Sequence, residues 1–137
     1  MKKSKDIIYI EDEAYAFKDR IDMLEEELGY SVTPVEDVDV AVKELEEYKY
    51  KLILLDIMMP PGSSFENDDV KGGFETGVAL ARKIKKGRNK ETPIIVVTAN
   101  PELRVKNTLE SLGVRAYLTK PINQVELEEK ISEALKG

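Results

Sequence analysis

Leu52-Ile53-Leu54-Leu55-Asp56-Ile57-Met58-Met59-Pro60 opens with four apolar residues in succession and sets a carboxylate directly after them. A strand with one face in water alternates apolar and polar positions, whereas a strand covered on both faces is apolar throughout. Ile7-Ile8-Tyr9-Ile10 and Ile94-Ile95-Val96-Val97 read the same way. Two shorter runs, Ser31-Val32-Thr33-Pro34-Val35 and Ala116-Tyr117-Leu118, complete a set of five. Pro34 cannot donate to a ladder, which places the second strand at an edge.

Helical period fills the intervals. Phe17, Ile21, Leu24 and Leu28 share one face, and Gly29 stops that helix. Val38, Ala41, Val42 and Leu45 share another, capped by Asp37 and ending before Tyr48. Val78, Leu80, Ala81 and Ile84 follow Gly77. Leu103, Val105, Leu109 and Leu112 follow Pro101, which suits a first helical turn, and Gly113 ends them. Val125, Leu127, Ile131, Ala134 and Leu135 close the chain. Strand and helix alternate five times, so the fold class is α/β: a doubly wound parallel sheet with helices on both faces and right-handed crossovers. Such sheets hold their chemistry outside the carboxyl ends of the strands.

Composition narrows that chemistry. The 137 residues suit a single domain over 1–137. Cysteine and histidine are both absent, which removes disulfides, thiolate or imidazole metal sites and Ser-His-Asp catalysis. With 27 acidic against 21 basic residues the formal net charge is −6, which argues against a nucleic-acid partner held by a basic face. The basic start leads into too few apolar positions for a signal peptide, and no run is long enough to span a membrane. The expected place is the cytoplasm.

At the strand ends stand Glu11, Asp12 and Glu13, then Asp56, then Thr98, then Lys120. Clustered carboxylates need a cation, and hard oxygen ligands suit Mg²⁺. A carboxylate can act as a nucleophile toward phosphorus, and phosphoryl transfer requires mainly positioning and charge neutralisation. Each residue also has a plainer reading. The acidic trio fits the first turn of a helix, Asp56 a turn, Thr98 a helix cap and Lys120 a solvated surface.

Taken together, Ile10-Glu11-Asp12-Glu13, Leu54-Leu55-Asp56-Ile57-Met58-Met59-Pro60, Thr76-Gly77-Val78-Ala79-Leu80, Val97-Thr98-Ala99 and Ala116-Tyr117-Leu118-Thr119-Lys120-Pro121 resemble a response regulator receiver domain of two-component signalling. The resemblance covers almost the whole chain. It implies a flavodoxin-like sandwich with strand order 2-1-3-4-5 and Asp56 as phosphoacceptor. Asp12, Asp56 and the Met58 carbonyl would ligate Mg²⁺, with Glu11 acting through water. Lys120 and Thr98 would hold the phosphoryl oxygens, Thr98 and Tyr117 would form the switch, and Lys120–Pro121 would be cis. Met58 and Asn100 would flank the site. The implied partners are a histidine kinase or a histidine phosphotransfer protein and an unidentified output protein. The implied protein is a stand-alone monomer or weak homodimer, catalysing only its own phosphorylation and dephosphorylation.

Three features depart from the family. Glu11 stands where aspartate is commonest, and Thr76-Gly77 stands for Asp-Gly, a small change because threonine also caps helices. The larger departure is an insertion of about 13 residues within roughly 61–75, between the Asp56 motif and the third helix. It carries Glu66, Asp68 and Asp69 against Lys71, with Phe65 and Phe74 as candidate anchors. It reads either as a solvated insertion or as a lid or docking surface beside the site, whose Asp68 or Asp69 could compete for a cation. The alternatives at the level of function are a pseudo-receiver that is never phosphorylated, an Asp-nucleophile hydrolase and a flavodoxin-type cofactor binder. The hydrolase lacks an Asp-x-Asp after the first strand, and the cofactor binder would face acids where it needs a phosphate loop.

Overall fold

The computed structural model describes residues 4–73, 75–99 and 102–136, with Tyr15 described by its backbone alone. Phe74, Asn100 and Pro101 lie outside the described residues. The elements run β1 (Ser4–Ile10), α1 (Lys18–Leu28), β2 (Val32–Val35), α2 (Val38–Glu47), β3 (Lys49–Leu55), α3 (Thr76–Ile84), β4 (Ile94–Thr98), α4 (Leu103–Ser111), β5 (Ala116–Thr119) and α5 (Gln124–Lys136). A short 3₁₀ turn precedes α1 (Ala14–Phe17), and a turn with left-handed φ at Lys71 (54°), Gly72 (67°) and Gly73 (104°) precedes α3.

All strand pairs are parallel and the order is β2-β1-β3-β4-β5. Pro34 therefore sits on an edge strand, opposite Tyr9. Leu52, Ile53, Leu54 and Leu55 are fully shielded from solvent, and the pleat divides them between two cores. Ile53 and Leu55 pack with Ile8, Ile10 and Val96 beneath α2, α3 and α4. Leu52 and Leu54 pack with Ile7, Tyr9 and Val97 against α1 and α5. A strand so placed has no polar side to offer, which is why the run has none.

The helix boundaries follow local chemistry. Asp37 Oδ1 accepts from the amides of Asp39 (2.8 Å) and Val40 (3.1 Å), capping α2. Gly29 ends α1 at φ 74°, a conformation that glycine adopts without a side-chain clash. Asn123 accepts from the Glu126 amide at 3.0 Å at the start of α5. Two apolar positions depart from the expected faces. Leu103 and Val125 are 68% and 64% exposed, and each lies in the first turn of its helix.

The amino end of β3 is fastened by Asn89. Its Oδ1 accepts from the Tyr50 amide at 2.8 Å, and its Nδ2 donates to the carbonyls of Leu45 (2.8 Å) and Tyr48 (2.9 Å). Thr92 Oγ1 completes the knot with the Tyr50 carbonyl and Asn89 Oδ1, both at 3.0 Å. Buried polar groups satisfied in this way fix α2, β3 and the α3–β4 turn relative to one another.

Candidate functional site

The carboxyl ends of β1 and β3 lie side by side, because the Asp56 amide donates to the Ile10 carbonyl at 2.9 Å. That ladder bond brings Glu11 and Asp56 together, with Asp12 in the turn beyond. One oxygen from each of the three carboxylates lies within 4.8 Å of the others. Glu11 and Asp56 are buried and Asp12 is exposed, so the cluster has a dry floor and a wet mouth.

Lys120 comes to the same place from the end of β5. Its amide donates to the Thr98 carbonyl at 2.9 Å, which fixes its backbone beside β4. Its Nζ donates to Glu11 Oε1 and, at 3.1 Å, to Asp56 Oδ2. Asp56 Oδ1 accepts from the Met58 amide at 3.1 Å, which orients the carboxylate. Thr98 is fully buried at the end of β4. Tyr117 is half-buried on β5 against the α4-side core, with Lys106 Nζ 5.8 Å from its ring centroid. Lys120–Pro121 is cis. Glu11, Asp56, Thr98 and Lys120 thus stand at the carboxyl ends of their strands, with Asp12 and Met58 in the turns beyond, Tyr117 within β5 and Asn100 outside the described residues.

Electrostatics follow from the crowding. Burial, with the adjacent Asp12 carboxylate, pushes the Glu11 carboxyl up to about 7, against the opposing pull of Lys120. Burial alone would lower the Lys120 pKa, but its bonds to Glu11 and Asp56 raise it, so the ammonium is held charged. The Tyr117 hydroxyl is pushed up by burial and then by the Asp56 charge. The plainer reading of the acidic trio holds in part: Glu13 makes no side-chain cap for the 3₁₀ turn, but Glu11 Oε2 accepts from the Glu13 amide at 3.2 Å while its other oxygen accepts from Lys120.

Contacts between residues distant in the sequence complete the site and were not visible in it. Phe17 lies with its ring centroid 5.5 Å from Lys120 Nζ, so an aromatic face covers the ammonium from the α1 side. Thr76 is the first residue of α3 rather than its cap, and its hydroxyl donates to the Met59 carbonyl. Beside it the Gly77 amide donates to the Ile57 carbonyl at 2.8 Å. The turn that carries Asp56 is therefore held by the start of α3. Glu75 forms an ion pair with Arg104 of α4, joining the starts of α3 and α4.

The long connection is anchored. Phe65 and Val70 are buried, and Phe65 joins the core under α2 and α3. Asp39 accepts from the amides of Ser63 (3.0 Å) and Ser64 (2.9 Å), tying the segment to α2. The solvated reading fails at these points, where an aromatic ring and a carboxylate fix the chain. The bonds from Ser64 and Ser63 hold the Asp39 carboxyl well down, at about 2. A depressed carboxylate contributes stability above its unfolded value near 3.8 and loses it as pH falls toward 2. Hydrogen-exchange protection of the Ser63 and Ser64 amides is expected to decline over that window. Asp39→Ala, which leaves no side-chain acceptor, is expected to remove it at neutral pH as well.

A family model for the response regulator receiver domain matches residues 7–132. The chain belongs to that family. The receiver is 28% identical to the phosphate regulon transcriptional regulatory protein PhoB of Escherichia coli (strain K12), over 95% of this chain and 51% of that protein. The chain spans about half the length of the curated relatives it matches. Among solved structures it superposes on a CheY-like receiver from Methanospirillum hungatei JF-1 with TM-score 0.78 and 28% identity, covering 98% and 95% of the two chains. It also matches the receiver domain of a sensor histidine kinase from Pseudomonas aeruginosa PAO1, with TM-score 0.71, 27% identity and coverage of 98% and 99%. That structure is described with a magnesium ion coordinated in its active site cleft. Among the described residues here, no helix is long and apolar enough to cross a membrane.

Proposed function

We propose that this receiver accepts a phosphoryl group on Asp56 and thereby switches a protein-interaction surface at β4, α4 and β5. The observation that carries this reading is the convergence of Glu11, Asp12 and Asp56 with Lys120 on Asp56 Oδ2 at 3.1 Å. Three carboxylates, one of them exposed, form a hard oxygen donor set that fits Mg²⁺. Asp12, Asp56 and the Met58 carbonyl would hold the ion, with Glu11 acting through water. When bound, it supplies neutralisation of the carboxylates and of the incoming phosphoryl oxygens.

The chain's own groups do the rest. An Asp56 oxygen attacks phosphorus, and the bond to the donor's nitrogen or acyl oxygen breaks with its electron pair leaving on the donor. Lys120, already charged, moves its hydrogen bond from the carboxylate to a phosphoryl oxygen. Thr98 supplies a hydroxyl from the neighbouring strand. The product adds up to about two negative charges beside β4 and β5. That charge draws Thr98 and Lys120 together and biases the position of Tyr117.

With no histidine on this chain, the phosphoryl donor is a phosphohistidine on a histidine kinase or phosphotransfer protein, or a small acyl phosphate. The output partner is a protein that reads the switched face. The receiver turns over nothing but its own phosphoryl group, and it works in the cytoplasm.

Beryllofluoride with Mg²⁺ imitates the phosphoryl group without a covalent step. Its addition is expected to shift the amide resonances of Thr98, Tyr117 and Lys120, with no such shifts in Asp56→Ala. Unchanged spectra in the native protein would contradict the reading.

A further inference from the structure

The end of α3 runs against the charge of the molecule. Six of the 21 basic residues fall between Arg82 and Lys90, and no acid occurs from Thr76 through Lys90. Arg82, Lys83, Lys86, Arg88 and Lys90 are exposed. Among the described residues, none of the five forms an ion pair. Arg88 Nε donates instead to the Glu46 carbonyl at 2.7 Å, which holds it at the edge of α2. Arg82, Lys83 and Lys86 share a pocket on one side with Asp68, Asp69 and Glu75, of which Asp69 pairs with Lys71 and Glu75 with Arg104, so the cluster keeps its positive field toward α2.

Between α2 and α3 this cluster borders a groove of about 220 Å³. Its floor is apolar, formed by Val42, Leu45, Leu80 and Ile84, and Lys83, Lys86 and Arg88 stand on its rim beside a single acid, Glu46. The Asn89 knot that joins α2 to the α3–β4 turn fixes the spacing of its walls. An inorganic anion would leave the apolar floor unused. A nucleic acid would find no aromatic side chain in the groove to stack on, and an acidic molecule around it. A helix lying in a groove between two helices uses both features, with apolar anchors down and acids toward the rim.

We infer that the α2–α3 groove is a docking surface for an acidic amphipathic helix of a protein partner. Asn89 binds Tyr50, near the start of β3, whereas Asp56 follows its end, about 20 Å away at strand rise. Docking there leaves the phosphoryl site open, so a partner can be held irrespective of phosphorylation. The inference stands apart from the reading of Asp56 and survives its failure.

The test uses a fluorescein-labelled helical peptide of roughly 16 residues, with leucines on one face and glutamates beside them, and a counterpart with lysine for glutamate. Anisotropy is expected to show binding of the acidic peptide only, weakening as salt rises. Lys83→Glu/Lys86→Glu is expected to weaken it at least about tenfold, as reversal of two exposed charges would. Asp56→Ala is expected to leave the affinity unchanged. Circular dichroism checks that the double variant is folded, and amide shifts at Val42, Leu80 and Ile84 locate the peptide in the native protein. The inference is overturned by equal binding of both peptides, by unchanged affinity in the double variant, or by no binding at millimolar peptide. Phosphatidylglycerol vesicles or duplex DNA binding through Lys83 and Lys86, with the peptide inert, would assign the patch to lipid or nucleic acid instead.

Discussion

Lys120→Ala is expected to slow phosphorylation of Asp56 by about 10²- to 10³-fold, the loss usual when one preorganised donor is removed from developing charge. The ammonium bonds Asp56 directly at 3.1 Å and Glu11 on its other side, so it is aimed before any substrate arrives. Among the described residues no cation other than Lys120 pairs with Glu11 or Asp56. Phe17 covers its face but carries no charge, and Thr98 supplies a hydroxyl only. Phosphorylation time courses by intact mass, native against variant, measure the effect; a change under threefold would remove Lys120 from the chemistry.

The same substitution carries a pH signature. The Glu11 carboxyl, already pushed up to about 7 by burial, loses the cation that holds it down and rises further. Its folded pKa stands above the unfolded value near 4.5, so the native state binds the extra proton. Stability from this group is therefore full below 4.5 and is lost as pH rises through the folded value. Urea midpoints of the variant are expected to fall from pH 5 to pH 8 more steeply than those of the native protein.

Gly77→Ala is expected to cost about 2–4 kcal/mol of stability and most of the phosphorylation rate. The reason lies in the close approach of backbone to backbone. A methyl at residue 77 would stand 2.5 Å from Ile57 Cα and 2.6 Å from the Asp56 carbonyl oxygen. Neither neighbour is a flexible side chain that can swing aside, so the turn carrying Asp56 must move. Ala79→Gly, which opens rather than fills space in the same helix, serves as the control: it is expected to lose about 1 kcal/mol and keep its rate. Equal rates in native protein and Gly77→Ala would show that the turn tolerates the shift.

The strands were legible because burial on both faces leaves no choice of residue: Leu52 to Leu55, Ile7 to Ile10 and Ile94 to Val97 are all core. Their carboxyl ends then located Glu11, Asp56, Thr98 and Lys120 without side-chain geometry. Asp37 and Gly29 also acted as their residue types suggest, since capping depends on neighbours within a turn. What escaped were contacts between segments far apart in sequence. Phe17 over Lys120 and Glu75 with Arg104 have no local signal, because period reports a face and not its partner. Leu103 and Val125 belong to the same class: apolar spacing marks a face along the whole helix, but both first-turn residues are exposed. An aromatic ring in a long loop marks Phe65 as an anchor, but only the fold shows its seat in the core. Thr76 begins a helix as its motif implies, yet its hydroxyl is spent on the Met59 carbonyl rather than on a cap.

The central claim is that Asp56 carries the phosphoryl group. Intact mass after incubation with acetyl phosphate, with and without Mg²⁺ and beside Asp56→Ala, tests it most directly. One phosphoryl adduct is expected, formed only with the metal and absent from the variant. No adduct in the native protein, or an adduct that persists in Asp56→Ala, would contradict it.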